Sequence, residues 1–344
     1  MADTEKENPL LRVDTISCTL NTDSGPVRVL EDIVFRLNAK TALGIVGESG
    51  AGKSMLIKAI MGITPNGMRV DGRIFFDGED LLSLPQQKRA ELTGRRVGMV
   101  FQNPMTSLNP FVRIGRQIEE AARAHLGLTK KDARARAIEL LGVVGIPDPQ
   151  DCYGYFPHHF SGGMKQRIMI AAALACKPEL LIADEATTAL DVTVQKEVLD
   201  LLQALQRERE MSMIIVSHNL AIVAGRTDEL LVLYGGHIVE YGKTDVVFRN
   251  PRHRYTQALL SAMPKMDQPA HTKLTTIPGS PPSLAVGRKG CPFAPRCAAA
   301  EAICHEIMPQ MTVNSDGNHR FACHFPVGQP DGPVINHAET ERAE

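Results

Sequence analysis

Apolar positions fall into short runs of strand length, and these are separated by stretches in which they recur at helical spacing. Ile33-Val34-Phe35-Arg36-Leu37 and Thr41 to Val46 read as short strands on either side of a turn at Asn38-Ala39-Lys40. Gly72-Arg73-Ile74-Phe75-Phe76-Asp77-Gly78 reads as a strand closed by a turn, and Val97 to Gln102 as an apolar strand with a polar end. The pattern then changes. Ile114 to Ala121 and Lys131 to Leu141 predict helices, so a helical subdomain at about 104–175 interrupts the strand-rich pattern. Phe160 to Arg167 opens an apolar helix through Ala175, and Glu179 to Ala183 is an apolar strand ending in Asp184 and Glu185. From about Val194 to Arg209, Val194, Val198, Leu201, Leu202 and Leu205 form one helical face, a core stripe. Met213 to Ser217 is another buried strand, ending at His218, and Leu230–Tyr234 with His237–Tyr241 flank Gly235-Gly236 as a hairpin. Strands alternating with helices in this way predict an α/β fold.

The stretch that organises the chain is Gly47-Glu48-Ser49-Gly50-Ala51-Gly52-Lys53-Ser54, which fits G-x-x-x-x-G-K-[ST]. Ala42 to Val46 leads in as a strand and Met55 to Ile60 leads out as a helix, the context a phosphate cradle needs. Small residues let successive backbone N–H groups close around phosphate oxygens, and the helix N-terminus behind them adds positive potential. Lys53 is expected to reach the β/γ-phosphates and the Ser54 hydroxyl to ligate Mg²⁺. Gln102 lies beyond a strand's carboxyl end, where ligands bind in open α/β sheets, although a solvated loop residue reads the same way. Ser161-Gly162-Gly163 at a helix start suits a second anion site, with Ser161 as N-cap, and equally suits ordinary capping. Acidic pairs often just end a strand, but beside a phosphate loop Asp184 is read as a Mg²⁺ holder and Glu185 as the group that polarises an attacking water. His218 again falls at a strand's edge, as a structural or a catalytic residue.

Composition narrows the picture. A chain of 344 residues suggests two units, and 43% hydrophobic residues suffice for a real core. A formal charge of −1 gives no electrostatic footprint for a nucleic-acid partner. The polar start, Met1 to Asn8, lacks the apolar core of a signal peptide, and the longest apolar run, Ile168 to Cys176, is half a membrane span. A cytoplasmic protein is expected, unless a partner carries it to a membrane. Of seven cysteines, Cys18, Cys152 and Cys176 are scattered, while Cys291, Cys297, Cys304 and Cys323 cluster late.

Taken together, these pieces resemble the nucleotide-binding subunit of an ABC transporter. Walker A (Gly47 to Ser54), Q-loop Gln102, signature Ser161-Gly162-Gly163-Met164, Walker B Asp184-Glu185, D-loop Ala189-Leu190-Asp191 and H-loop His218 occur in family order. The resemblance implies a P-loop ATPase domain over residues 1–250, with a RecA-like core, an antiparallel β subdomain and the helical subdomain. It implies that two such domains close head-to-tail, each ATP lying between one Walker A and the other subunit's signature. It further implies that Gln102 senses Mg²⁺ or water, that His218 contacts the γ-phosphate, and that Asp191 links the two sites. The chain departs from the family pattern in Phe160 and Met164 around the signature, and in Ala186 after Glu185 where proline is usual. No aromatic lies between Leu10 and Val34 to stack adenine, so Val27 or a neighbour is expected to serve.

The tail resembles the oligopeptide/dipeptide importer branch. Asn250 to Leu260, Ile277-Pro278-Gly279-Ser280-Pro281-Pro282-Ser283-Leu284 and Gly290-Cys291-Pro292-Phe293-Ala294-Pro295-Arg296-Cys297 carry that likeness, as does Thr187 to Thr193. It implies a D-type subunit with a C-terminal extension over residues 251–344, working at the cytoplasmic face of the inner membrane. Its implied partners are two transmembrane permeases, a second ATPase of F type, and indirectly a periplasmic binding protein. A soluble ABC ATPase of translation or DNA repair is the rival reading, and it lacks here the second cassette, long insertion and basic face usual in that class. Importers of nickel or glycosides share the branch.

The late cysteines follow C-x5-C-x6-C-x18-C. A cytosolic setting disfavours disulfides, and structural zinc prefers closer pairs. Four thiolates from a loop-rich segment suit a [4Fe–4S] cluster, though not with bacterial ferredoxin spacing, while four buried free thiols are the plain alternative. Branch members with the same tail resemble iron–sulfur proteins, and a structural cluster is expected.

Overall fold

The structure is a computed structural model, described here for residues 9–23, 25–187, 190–263, 276–282 and 289–328. Its first element is a long hairpin, β1 (Leu11–Thr22) against β2 (Gly25–Leu37). The pattern of apolar residues suggests shorter strands because β1 and β2 are bulged. Thr15 and Asp32 sit at φ 52° and 50°, and the register shifts beside them, so inward and outward alternation breaks in mid-strand. After the turn at residues 38–41, β3 (Ala42–Val46) runs into the phosphate loop. β4 (Met68–Phe76) and β5 (Glu79–Asp80) return to β1 and complete a four-stranded antiparallel sheet in the order β2-β1-β4-β5.

The second sheet has eight strands. β6 (Val97–Val100), β7 (Leu180–Asp184) and β8 (Ser212–Ser217) pair in parallel, and β8 pairs with β3. β9 (Glu229–Tyr234) is parallel to β3 and turns into β10 (His237–Lys243). That turn has both glycines at positive φ, 55° for Gly235 and 86° for Gly236, as a tight hairpin requires. β11 (Thr312–Val313) and β12 (His319–Phe321) finish the order β11-β12-β10-β9-β3-β8-β7-β6. The late segment thus contributes strands to the main sheet.

Every residue of β3, β7 and β8 is buried, the signature of central parallel strands covered on both faces. The two faces feed two cores. Leu43, Ile45, Ile182, Ile214 and Val216 face the helix Lys53–Met61 and the antiparallel sheet. Val46, Leu181, Ala183, Met213 and Ile215 pack toward the helical insert instead. That insert holds Ile114–Leu126, Lys130–Val143 and Gly162–Ala173. The last helix stops at Ala173, short of Ala175, because Leu174 caps it, Lys177 takes φ 53°, and Pro178 follows. Val192–Glu208 buries Val198, Leu202 and Leu205 on the predicted stripe. This is an α/β fold, with an antiparallel sheet on one side of the main sheet and a helical insert on the other.

Candidate functional site

β3 delivers the phosphate loop and the helix Lys53–Met61 carries it away. Two glycines in the loop are sterically required. A Cβ on Gly47 would lie 2.2 Å from the Leu233 carbonyl oxygen, and Gly52 has φ 106° with Leu30 Cδ2 2.6 Å from its would-be Cβ. Lys53 is 4% exposed, and its Nζ donates to the carbonyls of Gly47 (2.8 Å) and Glu48 (3.0 Å). Burial pulls its pKa down, while Glu185 and Asp184 act the other way.

β7 ends at Asp184, and the Ser54 Oγ donates to Asp184 Oδ1 over 3.1 Å. Burial pushes the Asp184 carboxyl up, and the Ser54 hydroxyl and Lys53 oppose that. Two hard oxygen donors, one of them a buried carboxylate, fit a Mg²⁺ ion well, since the cation's charge would offset that burial.

Glu185 is where the separate strands meet. Its backbone is left-handed at φ 47°, held by its N–H to the Val216 carbonyl at 3.0 Å. A non-glycine residue in that region is uncommon and turns the side chain off the strand axis. Gln102, just past β6, donates through Nε2 to Glu185 Oε2 at 3.0 Å. His218, just past β8, puts Nδ1 3.5 Å from the same oxygen, and Lys53 Nζ lies 3.5 Å from Oε1. Three predicted residues, following three different strands, therefore surround the carboxylate that follows a fourth. A water placed there would meet a base, and a phosphate on the loop would meet a cation and an imidazole.

The other predicted residues stand elsewhere. Ser161 caps Gly162–Ala173, its Oγ accepting from the Met164 N–H at 3.4 Å. Gly163 is needed for packing, because its Cβ would fall 2.6 Å from Val194 Cγ1. Asp191 caps Val192–Glu208, accepting from the N–H groups of Thr193 (3.1 Å) and Val194 (3.0 Å). Ala189 of the D-loop, and Thr188 before it, lie outside the described residues. Among the described residues, neither Ser161 nor Asp191 hydrogen-bonds to the phosphate loop or to Glu185; each caps its own helix instead. Val27 lies on β2, paired with Leu20.

Sequence reasoning missed the second layer behind the loop. Tyr255 and Arg296 reach Glu48, and Tyr234 holds Arg296; Tyr255 and Arg296 lie in stretches that carry the importer likeness, but nothing in the sequence signals this contact.

Comparison with known proteins agrees with this geometry. The family described as "ABC transporter" matches residues 30–188, and "Oligopeptide/dipeptide transporter, C-terminal region" matches residues 239–304. The oligopeptide transport ATP-binding protein OppD of Haemophilus influenzae is 44% identical over 91% of this chain and 96% of its own length. The dipeptide transport ATP-binding protein DppD of Escherichia coli is 42% identical over 95% and 99%. Among solved structures, a dimeric ATP-binding cassette bound to ADP and Pi superposes with a TM-score of 0.61 at 23% identity, covering 68% of this chain and 98% of that one. CbiO1 from Clostridium perfringens gives 0.60 at 28%, covering 71% and 92%. The chain belongs to the ABC-transporter ATPases, in the branch of the oligopeptide and dipeptide transport ATP-binding proteins.

Proposed function

We propose that this chain is the ATP-hydrolysing subunit that energises a bacterial importer of di- or oligopeptides. The observation that carries the ATPase half is the convergence of Lys53, Gln102 and His218 on Glu185 beside the Ser54–Asp184 pair. The names and near-complete coverage of the relatives support the peptide half.

In this reading, residues 1–250 are the ATPase domain and 251–344 the importer-type extension. The backbone of Gly47 to Ser54 wraps the phosphates, with Lys53 on the β/γ oxygens. Ser54 and Asp184, with Gln102 nearby, would hold Mg²⁺, which neutralises charge on the phosphates. Glu185 takes a proton from the attacking water, and His218 steadies the γ-phosphate. Ser161, Gly162 and Gly163 serve the ATP bound by the facing subunit, and Asp191 joins the two sites. That division fits the capping roles that Ser161 and Asp191 play within one chain. Bound ATP closes the dimer, which moves two permease subunits, and hydrolysis resets it. The partner ATPase is an F-type homologue, with a periplasmic binding protein supplying substrate from the far side.

No helix among the described residues is long and apolar enough to cross a membrane, which is consistent with a peripheral place at the cytoplasmic face of the inner membrane. Recovering this chain from solubilised membranes should bring down two permeases and a second ATPase. Recovery without any membrane protein would sink the transport reading and leave the ATPase standing.

For the late cysteines we propose a structural [4Fe–4S] cluster. Cys291, Cys297, Cys304 and Cys323 line one small apolar cavity. Burial pushes Cys291 up to about 12 and raises Cys297 and Cys323, so a bound cation is what would draw them into the thiolate form. On the same cavity wall, His253 is 1% exposed, and among the described residues its Nε2 has no hydrogen-bond partner. Its Nδ1 accepts the Tyr255 N–H at 3.1 Å, leaving an Nε2–H donor suited to sulfur. Among the described residues no three metal-ligating side chains already converge at ligating distance, so the thiols would close in as the cluster assembles. Anaerobically purified protein should contain iron and acid-labile sulfide. Protein with neither, or with zinc in their place, would end this proposal.

A further inference from the structure

Glu48 is a free "x" position in the loop motif, yet its backbone N–H, its carbonyl and its carboxylate are all held. Its backbone N–H donates to the Tyr255 hydroxyl at 2.9 Å, and its carbonyl accepts from Lys53 Nζ at 3.0 Å. Its carboxylate takes both arms of Arg296, Nη1 to Oε2 at 2.6 Å and Nη2 to Oε1 at 3.1 Å. The guanidinium is saturated on its other side. Nη1 also donates to the Tyr234 hydroxyl at 3.1 Å, Nε to the Pro278 carbonyl at 2.8 Å, and Nη2 to the Ile277 carbonyl at 3.4 Å. The Arg296 side chain is 6% exposed, so this forked pair is largely shielded from water.

Behind the pair is an aromatic wall. Tyr234 and Tyr255 have ring centroids 4.3 Å apart, and Phe293 lies 5.3 Å from each. Tyr255 is fully buried. Tyr234 ends β9, whereas Tyr255, Phe293 and Arg296 come from the late segment, 248 residues along the chain from Glu48 in the case of Arg296.

We propose that Arg296 and Tyr255 are positioning residues for nucleotide binding: by clamping Glu48 they hold the phosphate loop, and the carbonyls that park Lys53, in the form that receives ATP. This rests on reading the loop as the ATP site. A loop whose first peptide is pinned orders less on binding, so the ligand meets preformed donors. Removing the clamp lets that peptide rotate, and Lys53 loses its two carbonyl contacts together. A lysine at 296 would keep the charge and lose the fork. The late segment is thereby part of the ATP site, with Arg296 one residue from Cys297 and Phe293 lining both the aromatic wall and the cysteine cavity.

The test uses the full chain, with equilibrium binding of Mg-ATP and thermal midpoints measured without nucleotide. Tyr255→Phe keeps the ring and deletes only the acceptor of the Glu48 N–H. Arg296→Met should raise the Kd for ATP about tenfold, the scale of a lost charged hydrogen bond, and Tyr255→Phe about threefold. Turnover at saturating ATP should stay within about twofold, since the chemistry at Glu185 is untouched. Arg296→Lys should recover only part of the affinity. Adding Glu48→Gln to Arg296→Met should cost nothing more, because the pair acts as a unit. Should Arg296→Met fail to fold, Tyr255→Phe decides alone. Parental ATP affinity in the folded variants, with only the melting point lowered, would overturn the proposal and leave a structural staple. If the parent chain itself fails to bind ATP, or binds it undiminished after Lys53→Ala, the reading of the loop fails instead.

Discussion

Glu185→Gln is expected to bind ATP as the parent does while turnover falls by about 10²- to 10⁴-fold, the range for losing a general base. The amide is nearly isosteric with the carboxylate, so the contacts with Gln102 at 3.0 Å and His218 at 3.5 Å can be kept in some form. What goes is the capacity to take a proton from water. Binding draws on other groups, namely the loop N–H groups, Lys53 and the Ser54–Asp184 pair. Lys53 also loses a negative neighbour 3.5 Å away, which frees its ammonium for phosphate. Phosphate release by the assembled transporter, alongside ATP binding by the same variant, checks both halves. A variant that no longer binds ATP would show that Glu185 belongs to the binding set and not to the hydrolytic step.

Much of this centre is legible in the sequence because each part carries its own local signal. β3, β7 and β8 are buried on both faces and so read as largely apolar runs; β7 and β8 end in the polar residues Asp184 and Ser217, and β3 runs into the first loop glycine. Gly47 and Gly52 mark loop backbone with no room for a side chain. What escaped is non-local or short. β1 and β2 look like fragments because bulges at Thr15 and Asp32 break their alternation. β11 and β12 are two and three residues long, beneath any periodic signal, and exist because β10 offers an edge. Glu48 and Arg296 are each unremarkable alone, and their pairing becomes visible only when the late segment folds back.

Glu240 shows the same limit and carries the last expectation. In a hairpin strand it reads as a solvated acid, yet it is 0% exposed because β12 covers it. Its two oxygens accept the Arg252 N–H at 2.6 Å, the His253 N–H at 2.9 Å and His319 Nε2 at 2.7 Å. Glu240→Ala strands all three donors in a buried site and should destabilise the chain by about 3–5 kcal/mol, the scale of breaking a buried charged pair. Glu240→Gln retains an acceptor and the side-chain shape, and should cost about 1–3 kcal/mol. Denaturant unfolding measures both, and amide exchange at Arg252, His253 and β12 should rise first in the alanine variant. The damage should also travel. The turn at Arg252–His253 sets the start of the helix Arg254–Ser261, and with it Tyr255, which holds the Glu48 N–H. Weaker ATP binding at a temperature where Glu240→Ala is still folded would therefore show that the late segment and the phosphate loop form one mechanical unit. Unchanged binding together with faster exchange would confine Glu240 to holding the sheet edge.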